Sequence, residues 1–374
     1  MRHTSRMPRP TDYSDRLDQP SRIKGRGAPS NPEGRFETRT ATREDDGWVR
    51  DEEPAPRPET TVTIERARSI ISRNDSPDIH FTQSINAYRG CEHGCIYCYA
   101  RPSHSYLNLS AGIDFETKLF AKTNAAELLR KELAKPGYIC SPINLGANTD
   151  PYQPIERRYR ITRSIIEVLA EHSHPFTIIT KNALVERDMD LLAELAKKRL
   201  VHIFVSVTSL DNRLASTLEP RASAPHRRLK AVAALNDARV PCGVMVAPII
   251  PMVTDRYLER ILETAAQAGA RAAGYTVVRL PHELKQLFRE WLALHVPERA
   301  EHVMSLIQQM RGGRDNDARF GSRMRGEGEI AELIRQRFQL ACRKHGINQT
   351  RNVALDTTRF HAPRPASPQG ELFG

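Results

Sequence analysis

The stretch Asn86-Ala87-Tyr88-Arg89-Gly90-Cys91-Glu92-His93-Gly94-Cys95-Ile96-Tyr97-Cys98-Tyr99-Ala100-Arg101 sets three cysteines on one short turn with C-x3-C-x2-C spacing. Three thiolates on one loop suit three corners of a cubane iron–sulfur cluster, because such clusters are ligated by cysteine sulfur. The loop offers no fourth ligand, which leaves one iron open to a small molecule. Gly90 and Gly94 permit backbone angles that other residues avoid and are expected to keep side chains away from the cluster. Arg89 and His93 are expected to offset its negative charge. A structural zinc site is the competing reading, but zinc knuckles usually come as two C-x2-4-C pairs. Cys140, Cys242 and Cys342 stand singly, with no second pair to close a tetrahedron.

Around this loop, short apolar strands alternate with amphipathic helices. Strands are expected at 81–88, 143–147, 176–180, 202–207, 241–249 and 274–279. Helices are expected at 124–135, 162–171, 185–197, 225–237, 255–267 and from 282 onward. Continuous apolar strands between such helices imply a parallel sheet covered by helices. Six βα units predict an α/β fold, a partial (β/α)6 TIM-like barrel rather than a closed eight-strand one. The cysteine loop follows the first strand, and ligands gather at the C-terminal strand ends of such sheets. Residues 1–60 are rich in Pro, Arg, Asp and Thr without apolar periodicity and read as a disordered tail. A short helix is expected within 62–75. The core is expected over 61–296, a helical C-terminal extension over 297–355, and a flexible tail over 356–374.

The segment 88–101 resembles the signature loop of the radical S-adenosylmethionine (radical SAM) superfamily. The longer string from Tyr88 to Arg101 is similar to its spore photoproduct lyase-like branch, often labelled DNA repair photolyases, and the similarity covers roughly residues 77–290. The resemblance implies a 4Fe–4S cluster on Cys91, Cys95 and Cys98, with the methionyl amine and carboxylate of SAM on the open iron. It implies reductive cleavage of SAM to a 5′-deoxyadenosyl radical that abstracts hydrogen from substrate, and a reducing partner such as flavodoxin or ferredoxin. It places Tyr97 beside adenine, Thr149 and Asp150 at the SAM amine, Lys181 at its carboxylate, and the backbone of 245–250 against adenine. Strand alternation directs Ser206 and Thr208 to one face, the barrel interior, where small hydroxyls suit ribose or methionyl contacts. Arg221 and Arg279 are candidates for an anionic substrate. One departure stands out: the family's hydrogen-donating cysteine in the loop after the second strand is replaced by Ala147.

The 374 residues carry a formal charge of +11, yet residues 1–60 balance twelve basic against twelve acidic side chains. The excess therefore lies further on and suits a polyanionic partner such as nucleic acid. Arg311, Arg314, Arg319, Arg323 and Arg325, with Phe320, read either as a phosphate-tracking loop or as a solvated one. No apolar run reaches the length of a membrane span, and with no disulfide pattern and an oxygen-sensitive cluster implied, a cytoplasmic location without membrane partners is expected. Gln369, Leu372 and Phe373 near the C-terminus resemble the short peptide that docks bacterial sliding clamps. The reading is a radical SAM enzyme on a nucleic-acid substrate; the alternatives are a protein or small-molecule substrate, or a non-enzymatic, nucleic-acid-associated metal-binding protein.

Overall fold

A computed structural model describes residues 20–36, 58–349 and 354–363. Its main sheet has seven strands in the order β10-β9-β8-β7-β6-β3-β2. These are β2 (Ile71–Arg73), β3 (Gln83–Ile85), β6 (Ile143–Leu145), β7 (Phe176–Thr180), β8 (Val201–Ser206), β9 (Cys242–Ile249) and β10 (Ala273–Val277). The six from β3 to β10 pair in parallel, and β2 caps the edge antiparallel to β3. Among the described residues no pairing joins β10 back to β2 or β3, so the barrel is open, as the six βα units predict. The strands are nearly continuous apolar runs because helices cover them. Ile143, Leu145, Phe176, Ile178, Ile203, Val205 and Val244 are all buried, and each such side chain contributes about 1.5–3 kcal/mol of burial.

The helices sit close to their expected places, at Ala125–Leu133, Ile161–Glu171, Met189–Lys197, Pro225–Asp237, Leu258–Gln267 and Leu284–His295. Gly328–Lys344 packs on the helix after β9 through the bidentate Arg337–Glu259 pair at 2.7 and 2.9 Å, and Phe338 meets Tyr275 of β10 with ring centres 4.7 Å apart.

Three expectations need correction. The stretch 62–75 is not helical: it holds β1 (Thr61–Glu65) and β2. With β4 (Tyr88–Arg89) and β5 (Lys118–Lys122), β1 builds a second, three-stranded sheet in the order β1-β5-β4. The apolar pattern of 62–73 suits a helix as well as it suits two short strands; pairing with distant partners decides it. Within 356–374, the described part runs along the N-terminal ends of the strands. Asp356 N donates to Arg199 O at 3.0 Å, His361 N to His172 O at 3.2 Å, and Phe360 packs edge-on to His174. Gln369, Leu372 and Phe373 lie outside the described residues.

The third correction concerns residues 20–36, expected to be tail, which form a strap folded onto the domain. Gly27 N and Ala28 N donate to the Glu116 carboxylate at 3.0 and 2.8 Å, and Asp114 N donates to Asn31 Oδ1 at 3.1 Å. Ala28 and Ser30 are buried. A Cβ on Gly27 would stand 1.8 Å from the carbonyl oxygen of Gly94, in the cysteine loop itself. Only glycine lets the strap backbone lie that close. Gly27→Ala is therefore expected to lower stability by about 1–3 kcal/mol through overpacking, read as a reduced midpoint in urea unfolding. An unchanged midpoint would mean that the strap is detached in solution.

Candidate functional site

The cysteine loop leaves the short strand β4 and is held from three sides. Arg101, wholly buried, uses all five of its N–H donors to tie it to the segment behind it. Nε bonds Cys95 O at 2.9 Å, Nη1 bonds Ala111 O and Gly112 O at 3.1 and 2.9 Å, and Nη2 bonds Gly94 O at 3.1 Å and the Glu116 carboxylate. Glu116, also fully buried, carries the strap on its remaining lone pairs. On a second side, Gln153 accepts from Glu92 N at 2.9 Å and donates to Gly90 O at 3.2 Å. On the third, Ile96 N donates to Leu218 O at 3.0 Å and Arg221 N to His93 O at 3.2 Å.

Gly90 and Gly94 take positive φ, +73° and +67°. A Cβ on Gly90 would lie 2.6 Å from Leu119 and 2.9 Å from His104; one on Gly94 would lie 2.6 Å from Glu116. Their freedom serves close packing against the supporting elements, not clearance toward the cysteines. Arg89 is likewise turned to other work, forming a bidentate pair with Glu65 at 2.8 Å.

Cys91 and Cys95 are buried and Cys98 is half-buried. None of the three is in a disulfide. Cys91 and Cys98 pack with Ala100 and Phe115 in a small apolar cup apart from the main core. Burial raises the Cys91 thiol, and Asp150 and the neighbouring thiols raise it further; burial and Glu219 raise Cys95, which Lys181 partly opposes. Thiols that resist ionisation alone are suited to ligating a cation that supplies the missing positive charge. Among the described residues no three His, Cys, Asp or Glu side chains converge as a single bound ion needs. A cubane spans wider, since each thiolate takes a different iron. Three thiols on one loop are the donor type that such a cluster takes.

Above the loop, the exits of β6, β7 and β8 bring the other candidates together. Asp150 accepts from Thr180 Oγ1, Lys181 N and Tyr152 N at 2.7, 2.7 and 2.9 Å, and stands 3.4 Å from His93 Nδ1. Burial alone would raise its pKa, but His93, Thr180 and the Lys181 amide hold it down at about 2. His93 Nε2 meets Asn182 Nδ2 at 3.1 Å. Asp150 and His93 thus latch the loop to two strand ends. Thr149 Oγ1 is bonded to Tyr88 O at 3.4 Å.

Lys181 is different. Its Nζ lies 5.7 Å from the centre of the Tyr97 ring and, among the described residues, bonds to no acceptor. The Tyr97 hydroxyl donates to Glu219, and Thr208 Oγ1 bonds Glu219 at 2.6 Å and Ala247 O at 3.0 Å. Glu219 in turn pairs with buried Arg228, which also bonds Ser206 O at 3.0 Å and Ser223 O at 2.6 Å. The Thr208 hydroxyl is thus occupied by this network, whereas the Ser206 hydroxyl bonds no described residue. Sequence reasoning missed Arg101, Glu116, Glu219 and Arg228. A charged residue inside an otherwise apolar or cysteine-rich run was the available signal.

The anionic-substrate candidates separate. Arg221 pairs with Glu92 at 2.8 Å, while Arg279 has no carboxylate partner among the described residues. Arg311 is buried, bonding the carbonyl oxygens of Ser322, Arg323 and Val278, and Arg319 and Arg323 pair with Asp317 and Asp78. The arginine-rich loop is therefore built largely on internal bonds and does not present five free cations.

Comparison with known proteins agrees with this geometry. Residues 85–265 match the radical SAM superfamily. The chain is 38% identical over 231 residues to an uncharacterized protein of Mycobacterium tuberculosis, covering 61% of this chain and 68% of that protein. It is 27% identical over 190 residues to an uncharacterized protein of Methanocaldococcus jannaschii, covering 51% and 68%. Among solved structures, spore photoproduct lyase complexed with dinucleoside spore photoproduct superposes with a TM-score of 0.54 at 15% identity, over 76% of this chain and 80% of that one. A mutant of that lyase with bound AdoMet and dinucleoside spore photoproduct gives the same values. At such identity the likeness is one of fold.

Arg101→Met leaves Glu116 buried without its cation, which is expected to cost about 3–5 kcal/mol. The thermal midpoint of the metal-free protein should fall sharply. A fall seen only in the iron-loaded protein would contradict a role in the scaffold.

Proposed function

The chain belongs to the radical SAM superfamily, and from that premise we propose that Cys91, Cys95 and Cys98 hold its 4Fe–4S cluster, that Lys181 and Tyr97 bind SAM, and that the substrate is a nucleic acid. The superfamily's chemistry is one-electron reductive cleavage of SAM, which produces a carbon radical able to take hydrogen from an unreactive position. The enzymatic assignment follows from family membership; the assignment of roles is our own.

One observation supports the SAM site most directly: Lys181 holds its ammonium 5.7 Å from the centre of the Tyr97 ring and bonds no acceptor among the described residues. A carboxylate arriving beside the cluster would complete it with a charge-assisted bond. Tyr97, fixed through its hydroxyl, offers a ring for adenine, and Ser206 offers a free hydroxyl at the end of β8. Asp150, Thr149 and Thr208 act by positioning, since their polar atoms already hold the loop and strand ends together.

The nucleic-acid reading draws on the positive net charge, on Arg279 at the strand ends, and on the fold shared with a lyase solved with a dinucleoside photoproduct. A reducing protein of the flavodoxin or ferredoxin type and a reducing cytoplasmic setting belong to the same proposal. No helix among the described residues is long and apolar enough to cross a membrane.

Anaerobic reconstitution tests the site. The wild type should bind iron and sulfide and form 5′-deoxyadenosine from SAM with dithionite, and Cys98→Ala should do neither. Lys181→Met should keep its iron content while SAM affinity falls ten- to a hundredfold, the equivalent of about 1.5–3 kcal/mol for a charged hydrogen bond. Unchanged affinity would remove Lys181 from the site. For the C-terminal peptide, a sliding clamp should retain the intact chain and release a Leu372→Ala/Phe373→Ala variant. Equal retention would sink that partner.

A further inference from the structure

Beside the end of β10 lies positive charge that the described residues leave unneutralised. Arg279 follows this strand at the edge of the sheet's ligand face. Its guanidinium carbon stands 5.5 Å from the centre of the Tyr99 ring. Tyr99 directly follows Cys98, and its hydroxyl bonds Ala147 O at the exit of β6. Arg279 therefore closes the gap between the cysteine loop and the last strand. Among the described residues its one hydrogen bond runs from Nη1 to the Met324 sulfur at 3.5 Å, and its buried Nε has no partner. Burial, reinforced by neighbouring Arg323, pulls its pKa below the usual arginine value.

The neighbours do not supply the missing counter-charge. Arg311 is buried, bonds only carbonyl oxygens, and also has an unpartnered Nε. Burial and the proximity of Arg279 push it down to about 10. Arg323 takes Asp78 at 2.6 Å, and the second oxygen of Asp78 accepts from Gly321 N at 2.7 Å. Asp317 and Glu327 both bond Arg319. Four guanidiniums, Arg279, Arg311, Arg319 and Arg323, thus meet three carboxylates, Asp78, Asp317 and Glu327. Among the described residues neither Arg311 nor Arg279 bonds a carboxylate, and Arg279, unlike Arg311, bonds no carbonyl oxygen either. A half-buried cation without a partner is costly, and an anion from solution would remove that cost. A guanidinium's planar fork matches the two oxygens of a phosphate.

We propose that Arg279 anchors a phosphate group of the substrate, with Arg323 and Arg311 supplying the surrounding positive field, so that a nucleic-acid strand is held by its phosphodiester beside Tyr99 and the cysteine loop. The identity of the strand rests on the nucleic-acid reading above; the anchor itself requires only phosphate.

The two are separable by experiment on the reconstituted full chain. Inorganic phosphate should raise the thermal midpoint of the wild type relative to chloride at equal ionic strength. Arg279→Gln should lose that shift, and Arg279→Lys, which keeps the charge but not the fork, should retain part of it. The thymidine dinucleotide TpT should bind the wild type at least tenfold more tightly than its uncharged methylphosphonate counterpart, a comparison that needs no variant to fold. No phosphate-dependent shift, or a shift undiminished in Arg279→Gln, would overturn the anchor; equal affinity for the charged and uncharged dinucleotides would overturn a phosphodiester as its ligand. A phosphate shift that depends on Arg279, with TpT binding no better than inorganic phosphate, would keep the anchor and remove nucleic acid as its source.

Discussion

The buried pair of Arg101 and Glu116 is the interaction on which the site depends. A cluster-binding loop has an awkward backbone: it must wrap a compact object, so its carbonyl groups cannot join a helix or a sheet. Buried carbonyls without donors are costly. Arg101 answers this with five donors fixed in one plane, bonding Gly94 O and Cys95 O within the loop and Ala111 O and Gly112 O behind it. The charge so buried is balanced by Glu116, and Glu116 is balanced in turn by the strap amides of Gly27 and Ala28. The strap, the loop and the segment behind it are therefore joined by one carboxylate and one guanidinium. A lysine at 101 would supply at most three donors from a single point and could not span the same carbonyls.

A second buried pair, Arg228 and Glu219, repeats the device on the other flank. It ties the end of β8 to the loop through the Tyr97 hydroxyl. Neither pair need add net stability over an apolar substitute, because desolvation offsets much of the attraction. What they contribute is direction. Hydrogen bonds of fixed geometry set the cysteine loop between β4 and the exits of β6 to β8, whereas apolar packing alone would tolerate sliding. Positioning of this kind matters where a ligand must meet an iron and a cation at once. The unpaired Lys181 gains its meaning from the same framework, since the groups around it are already committed to one another.

The three cysteines and the six βα units are legible in the sequence because both are local patterns: a fixed spacing in one case, apolar strands between amphipathic helices in the other. The strap is not. Gly27-Ala28-Pro29-Ser30 has no periodicity, and its order comes from Glu116, 88 and 89 residues away. The small sheet escapes notice for the same reason, as β1 pairs with β5 across more than fifty positions. Charge is the least legible property. Arg311 and Arg314 look alike in the sequence, yet one is sealed beneath the loop and the other is exposed. Arg221, after the helix Asn212–Leu218, meets the Glu92 carboxylate, whereas Arg279, after β10, bonds no carboxylate among the described residues. Burial and pairing decide what a cation does, and both are tertiary facts.

The remaining cysteines sharpen what the site can do once hydrogen has been taken. All six cysteines of the chain lie among the described residues. Cys140 precedes β6 and Cys242 opens β9, so both belong to the N-terminal ends of the strands. Cys342 lies on the final helix beside Ile347, near Asn348, which bonds the start of β10. Each is thus at the end of the sheet opposite the cysteine loop. The loop after β6, where the resembling branch carries a thiol, presents Ala147, whose carbonyl oxygen is bonded to Tyr99. The cysteines at the ligand end are the three assigned to iron, and a thiol committed to a metal has no hydrogen to give. Under the proposed iron assignment, the cysteines left free all lie at the opposite end of the sheet. The group beside the cysteine loop on this side is the Tyr99 phenol, carrying Arg279 over its ring.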